Sequence, residues 1–350
     1  MAPVVHAMAA RPGLRARVVA TGQHRGMLDQ ALGAFGITPD VDLALMRPGQ
    51  GLAELTARLI TGLAEAFEAE QPDMVLVQGD TTSVMAGGLA AFYRRAPFGH
   101  VEAGLRSGVP DDPFPEEANR RIAGALADLH FAPTERAVAN LRAENVPVER
   151  IHLTGNTVVD ALRWMVARLP APATNGHRRR LLVTMHRREN WGGRIGAACR
   201  ALRSVLNDRP DVELTLPVHG NPLVREEVQG ALGGHPRARL VEPLAYPELI
   251  DELRQATVVL TDSGGIQEEA PTFGVPTLVL RDRTERPEAV EAGCARLIGT
   301  EPERVRAETL RLLDDPAAYA AMANAVNPFG DGRAAERIID AVCARLGVDR

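Results

Sequence analysis

Twelve short runs rich in β-branched residues, separated by helix-patterned stretches, constrain the fold of this chain more than any other feature. They are RARVVAT (15–21), VDLALM (41–46), DMVLVQGD (73–80), FGHVEAG (98–104), LHFAPT (129–134) and RIHLTG (150–155), then RRLLVTMH (179–186), VELTLPVH (212–219), ARLVEPL (238–244), TVVLTD (257–262), TLVLRD (277–282) and ARLIGT (295–300). Between two of them, GLAELTARLITGLAEAF places Leu52, Leu55, Leu59 and Leu63 on one face at helical spacing. Strands that alternate with helices predict parallel sheets covered on both faces. At 350 residues the chain is too long for one comfortable core. The polar break LPAPATNGHRRR (169–180) is the expected linker between two similar halves. The expected class is therefore α/β: two Rossmann-like domains, 1–168 and 177–330, with parallel sheets facing one cleft.

In such sheets ligands collect outside the carboxyl ends of the strands. The runs end in Gln78-Gly79-Asp80, His100-Val101-Glu102, Thr154-Gly155-Asn156, His186-Arg187-Arg188-Glu189-Asn190, His219-Gly220-Asn221 and Thr261-Asp262-Ser263-Gly264-Gly265. Turns alone do not require this concentration of His, Asp and Glu at one rim. In LTDSGGIQEEAP (260–271), Ser263 can cap a helix, and Gly264 and Gly265 allow backbone amides to approach a phosphate. Glu268 and Glu269 follow a turn later, where a carboxylate could grip sugar hydroxyls, although acids in a first turn are also ordinary helix chemistry. Asp80, Glu102 and Glu116 are the acidic candidates of the first half. Asp80 could merely cap a helix, and Glu116 could merely pair with Arg120 four residues on. Pro115 sits where the helix of PFPEEANRRI is expected to start. His219, in PVHGNP, is expected on a turn at the same rim.

Composition narrows the classes. The net charge is −5 without a basic block, which argues against nucleic acid as the main partner. All forty basic residues are arginine. The three cysteines, Cys199, Cys294 and Cys343, are far apart and form no CxxC, as expected of reduced thiols in a cytoplasmic protein. No apolar run approaches membrane length, and MAPVVHAMAARPG lacks the basic leader of a signal peptide. Neither GxGxxG nor GxxxxGK[ST] occurs, so nicotinamide and P-loop chemistry both lose support.

Taken in order, QGDTTS, GHVEAGLRSG, PEEANR, TGNTVVDAL, HRREN, PVHGNP, TDSGGIQEEAP, RDRTERPEA and NPFGDGRAAERI closely resemble the non-hydrolysing UDP-N-acetylglucosamine 2-epimerases, over nearly the entire chain. The resemblance implies the GT-B fold, with a final helix (331–350) that crosses back to the first domain. It implies interconversion of UDP-GlcNAc and UDP-ManNAc through elimination and re-addition of UDP, with no cofactor. In that reading Asp80, Glu102 and Glu116 match the family's catalytic carboxylates, and His219 matches a histidine implicated near the diphosphate and catalysis. Ser263, Gly264 and Gly265 match diphosphate contacts and Glu269 the ribose contact; Arg187 and Tyr246 are further UDP neighbours. Gln23, His24 and Gln30 correspond to part of a regulatory region that binds UDP-GlcNAc as an activator. A homodimer and a role in bacterial envelope polysaccharides are implied in the same way.

The chain departs from the family at its start. Members begin with a strand, a Gly-Thr-Arg-Pro-Glu turn and then a helix, inside which Met1 falls here. A misassigned start or a truncated chain is therefore expected, and loss of that central strand would leave two strand edges unpaired. Three rival readings stay open: a hydrolysing epimerase releasing ManNAc and UDP, a GT-B glycosyltransferase, and a nucleotide-sugar binding protein without turnover.

Overall fold

The computed structural model describes residues 1–22, 25–47, 49–172 and 178–348. It divides into two compact units, Met1–Trp164 with Phe329–Arg350, and Met165–Pro328. The division falls in the last turn of the helix Thr157–Val166, a few residues ahead of the expected boundary.

All twelve expected runs contain a strand: β1 Val19–Ala20, β2 Val41–Asp42, β3 Val75–Gln78, β4 Phe98–Val101, β5 Leu129–Ala132, β6 Ile151–Leu153, β7 Arg179–Thr184, β8 Val212–Pro217, β9 Ala238–Val241, β10 Val258–Thr261, β11 Thr277–Val279 and β12 Ala295–Leu297. In the first unit β3-β4-β5-β6 form a parallel sheet, while β1 and β2 pair with each other in a separate two-stranded sheet. In the second unit the parallel order is β12-β11-β10-β7-β8-β9. This is the doubly wound arrangement, in which the order reverses beside β7.

The second unit's sheet is buried on both faces. Leu181, Val183, Val258 and Leu260 enter one apolar cluster, and Leu182 and Val259, one residue out of phase, enter another. Each such side chain contributes roughly 1.5–3 kcal/mol of transfer free energy, so these runs show no polar alternation. In the first unit the helix Leu52–Glu70 buries Leu55, Leu59 and Leu63 as its spacing predicts. Leu52 departs from the pattern and is 41% exposed, because it opens the helix, where the turn that would cover it has not begun.

The C-terminal helix Ala334–Leu346 belongs to the first unit. Its face of Ala335, Ile338, Ile339 and Val342 packs with Val101, Leu129 and Phe131. Its first turn is held by Asp160, whose carboxylate accepts the backbone N–H groups of Ala334 at 3.1 Å and Ala335 at 2.8 Å. The loop before it crosses Gly155 closely: a Cβ on Gly155 would stand 3.3 Å from Gly330 Cα, and both glycines have positive φ. Thus TGNTVVDAL and NPFGDGRAAERI, far apart in sequence, form one joint. No helix among the described residues is long and apolar enough to cross a membrane.

Candidate functional site

In the first unit β3 and β4 run parallel with Gln78 opposite Val101, so Gly79 and Glu102 are the next residues on neighbouring strands. Glu102 has φ +63°, a left-handed conformation that costs a non-glycine residue on the order of 1 kcal/mol. Its carboxylate accepts Gln78 Nε2–H at 3.4 Å. Gly79, at φ +85°, turns the chain toward Asp80, and a Cβ there would sit 3.7 Å from Glu102 Oε2. Behind this turn, buried His100 donates from Nε2 to the Gly79 carbonyl at 2.7 Å. Burial holds the His100 imidazole neutral, its pKa lowered to about 4. Asp80 and Glu102 thus stand at the ends of neighbouring strands.

The helix Glu116–Leu126 completes this rim. Pro115 is its N-cap residue, just ahead of the first turn where it is expected. The Glu116–Arg120 pair that the spacing would allow is not formed. Arg120 turns instead to the Asp80 carboxylate and to Glu117, whose Oε2 it reaches at 3.0 Å, and Asn119 Nδ2 donates to the Asp80 carbonyl at 3.0 Å. Helical geometry is the reason: positions 117, 120 and 124, three and four apart, share the face turned to the protein, whereas Glu116 is half-buried at the helix start. Asp80 is therefore not the cap of the following helix, whose N-cap is Thr81 without a side-chain cap bond.

In the second unit the ends of β7 and β10 meet around Asp262, which is fully buried. Its carboxylate accepts the backbone N–H of His186 at 3.0 Å and of Arg187 at 2.9 Å, Asn190 Nδ2–H at 3.0 Å, and His186 Nδ1–H at 3.1 Å. Burial alone would raise this carboxyl's pKa; the donors, led by His186, outweigh it and hold it below the ordinary range. Ser263 occupies the N-cap position of the short helix Gly264–Glu269 but its hydroxyl makes no cap bond. Arg187 lies at the same place: a Cβ on Gly264 would stand 3.7 Å from its guanidinium and 3.5 Å from the Glu285 carboxylate, which Arg187 grips at 2.9 Å. First-turn amides have no acceptor within their own helix, so those following Ser263 favour an anion, with the Arg187–Glu285 pair beside them.

Glu268 and Glu269 are both buried at the far end of this helix. Arg286 pairs with Glu268. Burial, together with the Glu268 charge, pushes the Glu269 carboxyl up to about 8, although the Tyr246 phenol bonded to it works in the opposite direction. Tyr246 thus addresses Glu269. His219 follows β8 and stands against the Trp191 ring at 6.1 Å. Its Nδ1 accepts the Asn221 N–H at 3.1 Å, so in the neutral ring the proton sits on Nε2. Gln30 is exposed on the helix Arg25–Ala34, and Gln23 and His24 lie outside the described residues.

Four polar residues take places in the structure that their sequence pattern did not assign: Glu117, Arg120, His186 and Asp262. Glu117 and Arg120 resemble solvated helix charges, and His186 and Asp262 end strands that are neighbours only after folding. HRREN and TDSGG, each a polar motif closing a strand, were the available signal. Among the described residues no group of three or more His, Cys, Asp or Glu side chains is placed to hold a metal ion.

Two Rossmann-like units with parallel sheets, one with carboxylates at its strand ends and the other with a helix start beside Arg187, place the chain in the GT-B fold class. A family model described as UDP-N-acetylglucosamine 2-epimerase matches residues 6–343. The UDP-N-acetylglucosamine 2-epimerase of Escherichia coli (strain K12) is 48% identical over 354 aligned positions, covering 98% of this chain and 94% of that protein. The crystal structure of a putative UDP-N-acetylglucosamine 2-epimerase from Listeria monocytogenes superposes with TM-score 0.94 at 47% identity, covering 100% of this chain and 94% of that one. The Neisseria meningitidis UDP-GlcNAc 2-epimerase, solved bound to UDP-GlcNAc, gives TM-score 0.89 at 40% identity, covering 98% of this chain and 96% of that one. The chain belongs to the UDP-N-acetylglucosamine 2-epimerase family.

Proposed function

We propose that this protein interconverts UDP-GlcNAc and UDP-ManNAc at sugar C2 without hydrolysis. The C2 proton is not next to a carbonyl, so direct removal would be very slow. C2 does adjoin the anomeric carbon that carries UDP. A base takes the C2 proton, the C2–H electron pair forms the C1=C2 bond of 2-acetamidoglucal, and the C1–O bond breaks with its pair leaving on UDP. Re-addition of UDP with protonation of C2 from the opposite face gives the epimer.

The observation that carries this reading is the delivery of Asp80 and Glu102 by adjacent strand ends, with Asp80 held by Arg120. Acid–base work on two sugar faces needs more than one fixed carboxylate, and Glu116 is the third candidate. Ser263, Gly264, Gly265 and Arg187 stabilise the departing diphosphate, and Glu269, steadied by Tyr246, takes the ribose hydroxyls. His186, with its proton directed at Asp262, offers an Nε2 lone pair, whereas His219 offers an Nε2–H donor suited to a phosphate oxygen. Supply of envelope polysaccharide precursors, activation by UDP-GlcNAc through Gln23, His24 and Gln30, and a homodimeric cytoplasmic enzyme complete the proposal on family resemblance.

The test is incubation with UDP-GlcNAc in heavy water, followed by proton NMR. Deuterium at C2 of both nucleotide sugars, with no free ManNAc, is expected. Free ManNAc would identify the hydrolysing reaction, and UDP binding without deuterium uptake would identify a binding protein.

A further inference from the structure

Glu117 has no exposed surface, yet it is a carboxylate on the first turn of a helix, where water is the usual partner. Three groups take water's place: the backbone N–H of Ser107 at 3.0 Å, Arg120 NH1 at 3.0 Å and Arg121 Nε at 3.0 Å. A buried charge without such partners would cost several kcal/mol or more, so the arrangement around Glu117 is specified closely. Arg120 is the informative partner. Its NH1 rests on Glu117 and its NH2 on Asp80, so one planar guanidinium joins a sealed carboxylate to one at the strand rim. A guanidinium held at one end has little rotational freedom at the other. The Ser107 contact ties the same buried carboxylate to the segment that leaves Glu102. Asn119, on the next residue but one, holds the Asp80 carbonyl.

We propose that Glu117 is a positioning residue for epimerisation: acting through Arg120, it fixes the direction of the Asp80 carboxylate. The inference rests on the reading of Asp80 as catalytic. Glu117 touches no substrate in this scheme. Misplacing a reacting group by a fraction of its working distance costs up to about 100-fold in rate, while substrate affinity, set elsewhere, is spared.

The test is a double-mutant cycle read as kcat and as the rate of deuterium uptake at C2, with thermal melting as the check of folding. Glu117→Gln is expected to lower kcat about 10- to 100-fold with KM within about threefold. In an Asp80→Asn background the same change is expected to have almost no further effect, because the group it orients is already disabled. A structural role would instead multiply the two losses, and that result, or an unchanged kcat in folded Glu117→Gln, overturns the proposal. If Glu117→Gln does not fold, Arg120→Lys replaces it. Lysine keeps the charge but cannot span two carboxylates, and the same non-additivity with Asp80→Asn is expected. Full turnover in Asp80→Asn alone would refute the catalytic role of Asp80, an outcome distinct from multiplicative losses.

Discussion

His186 and Asp262, 76 residues apart in the chain, meet with imidazole Nδ1 3.1 Å from carboxylate Oδ1. The pair exists because β7 and β10 are neighbours in the sheet, bridged further by Thr184 Oγ1 and Thr261 Oγ1 at 2.6 Å. A carboxylate accepting Nδ1–H fixes the tautomer and leaves the lone pair on Nε2.

Asp262→Asn keeps the side chain's size but can donate to Nδ1 and favour the other tautomer. We expect kcat to fall about 10²- to 10⁴-fold, with a similar loss in His186→Asn. His219→Asn, which removes a donor, is expected to act more on KM. Steady-state kinetics with UDP-GlcNAc separate the two patterns.

Glu269 makes the second prediction, a dependence of stability on pH. Its folded pKa of about 8 lies above the ordinary 4.5. Below pH 4.5 both folded and unfolded chains carry the proton and nothing is lost. As pH rises from there through 8, the unfolded chain ionises first, and stability falls. Glu269→Gln removes the titration. Relative to the wild type it should gain on the order of 1–3 kcal/mol between pH 5 and pH 8.5, measured by urea unfolding at each pH, while losing UDP affinity by calorimetry.

The first unit is expected to fail on acidification. Burial lowers His100 and His130 to about 4 from 6.5, and each leaves a buried Nδ1 without a partner among the described residues. Their contribution is complete above pH 6.5 and is lost as pH falls toward 4, at up to roughly 3 kcal/mol each. Trp164 lies in the first unit and Trp191 in the second. In a Trp191→Phe variant, Trp164 fluorescence reports the first unit alone. Its melting temperature should drop between pH 6.5 and pH 4.5, and less steeply when His130→Phe is added.

Asp160 secures the C-terminal helix by two backbone hydrogen bonds. Asp160→Ala strands both amides in a buried place and should cost about 1–3 kcal/mol. Ile339→Ala, which empties a fully packed position of the same helix, should cost about 2–5 kcal/mol. Urea unfolding monitors both, and hydrogen exchange along residues 334–346 should quicken in each variant before global unfolding.

Gly104 carries a separate steric prediction. It has φ +87°, and an added Cβ would lie 2.3 Å from the Ala137 carbonyl oxygen. Gly104→Ala must therefore move backbone, and a loss of about 2 kcal/mol or more in denaturant unfolding is expected.

The sequence by itself determined the strands and the layering. Buried parallel strands need uninterrupted apolar runs, and that requirement is local: Leu181 to Val183 and Val258 to Leu260 show it without reference to any neighbour. It also located the polar strand ends, because each follows its run directly. Only the tertiary structure decided which of those ends cooperate. Arg120 sits in reach of both Glu116 and Glu117 along its own helix, yet it takes Glu117 and Asp80, the latter forty residues away, because the helix turns that face inward. Asp262 reaches His186 because the sheet order places β10 beside β7. Charge partnerships follow distances in the folded state, and a linear pattern of residues carries those distances only within a helix or a strand.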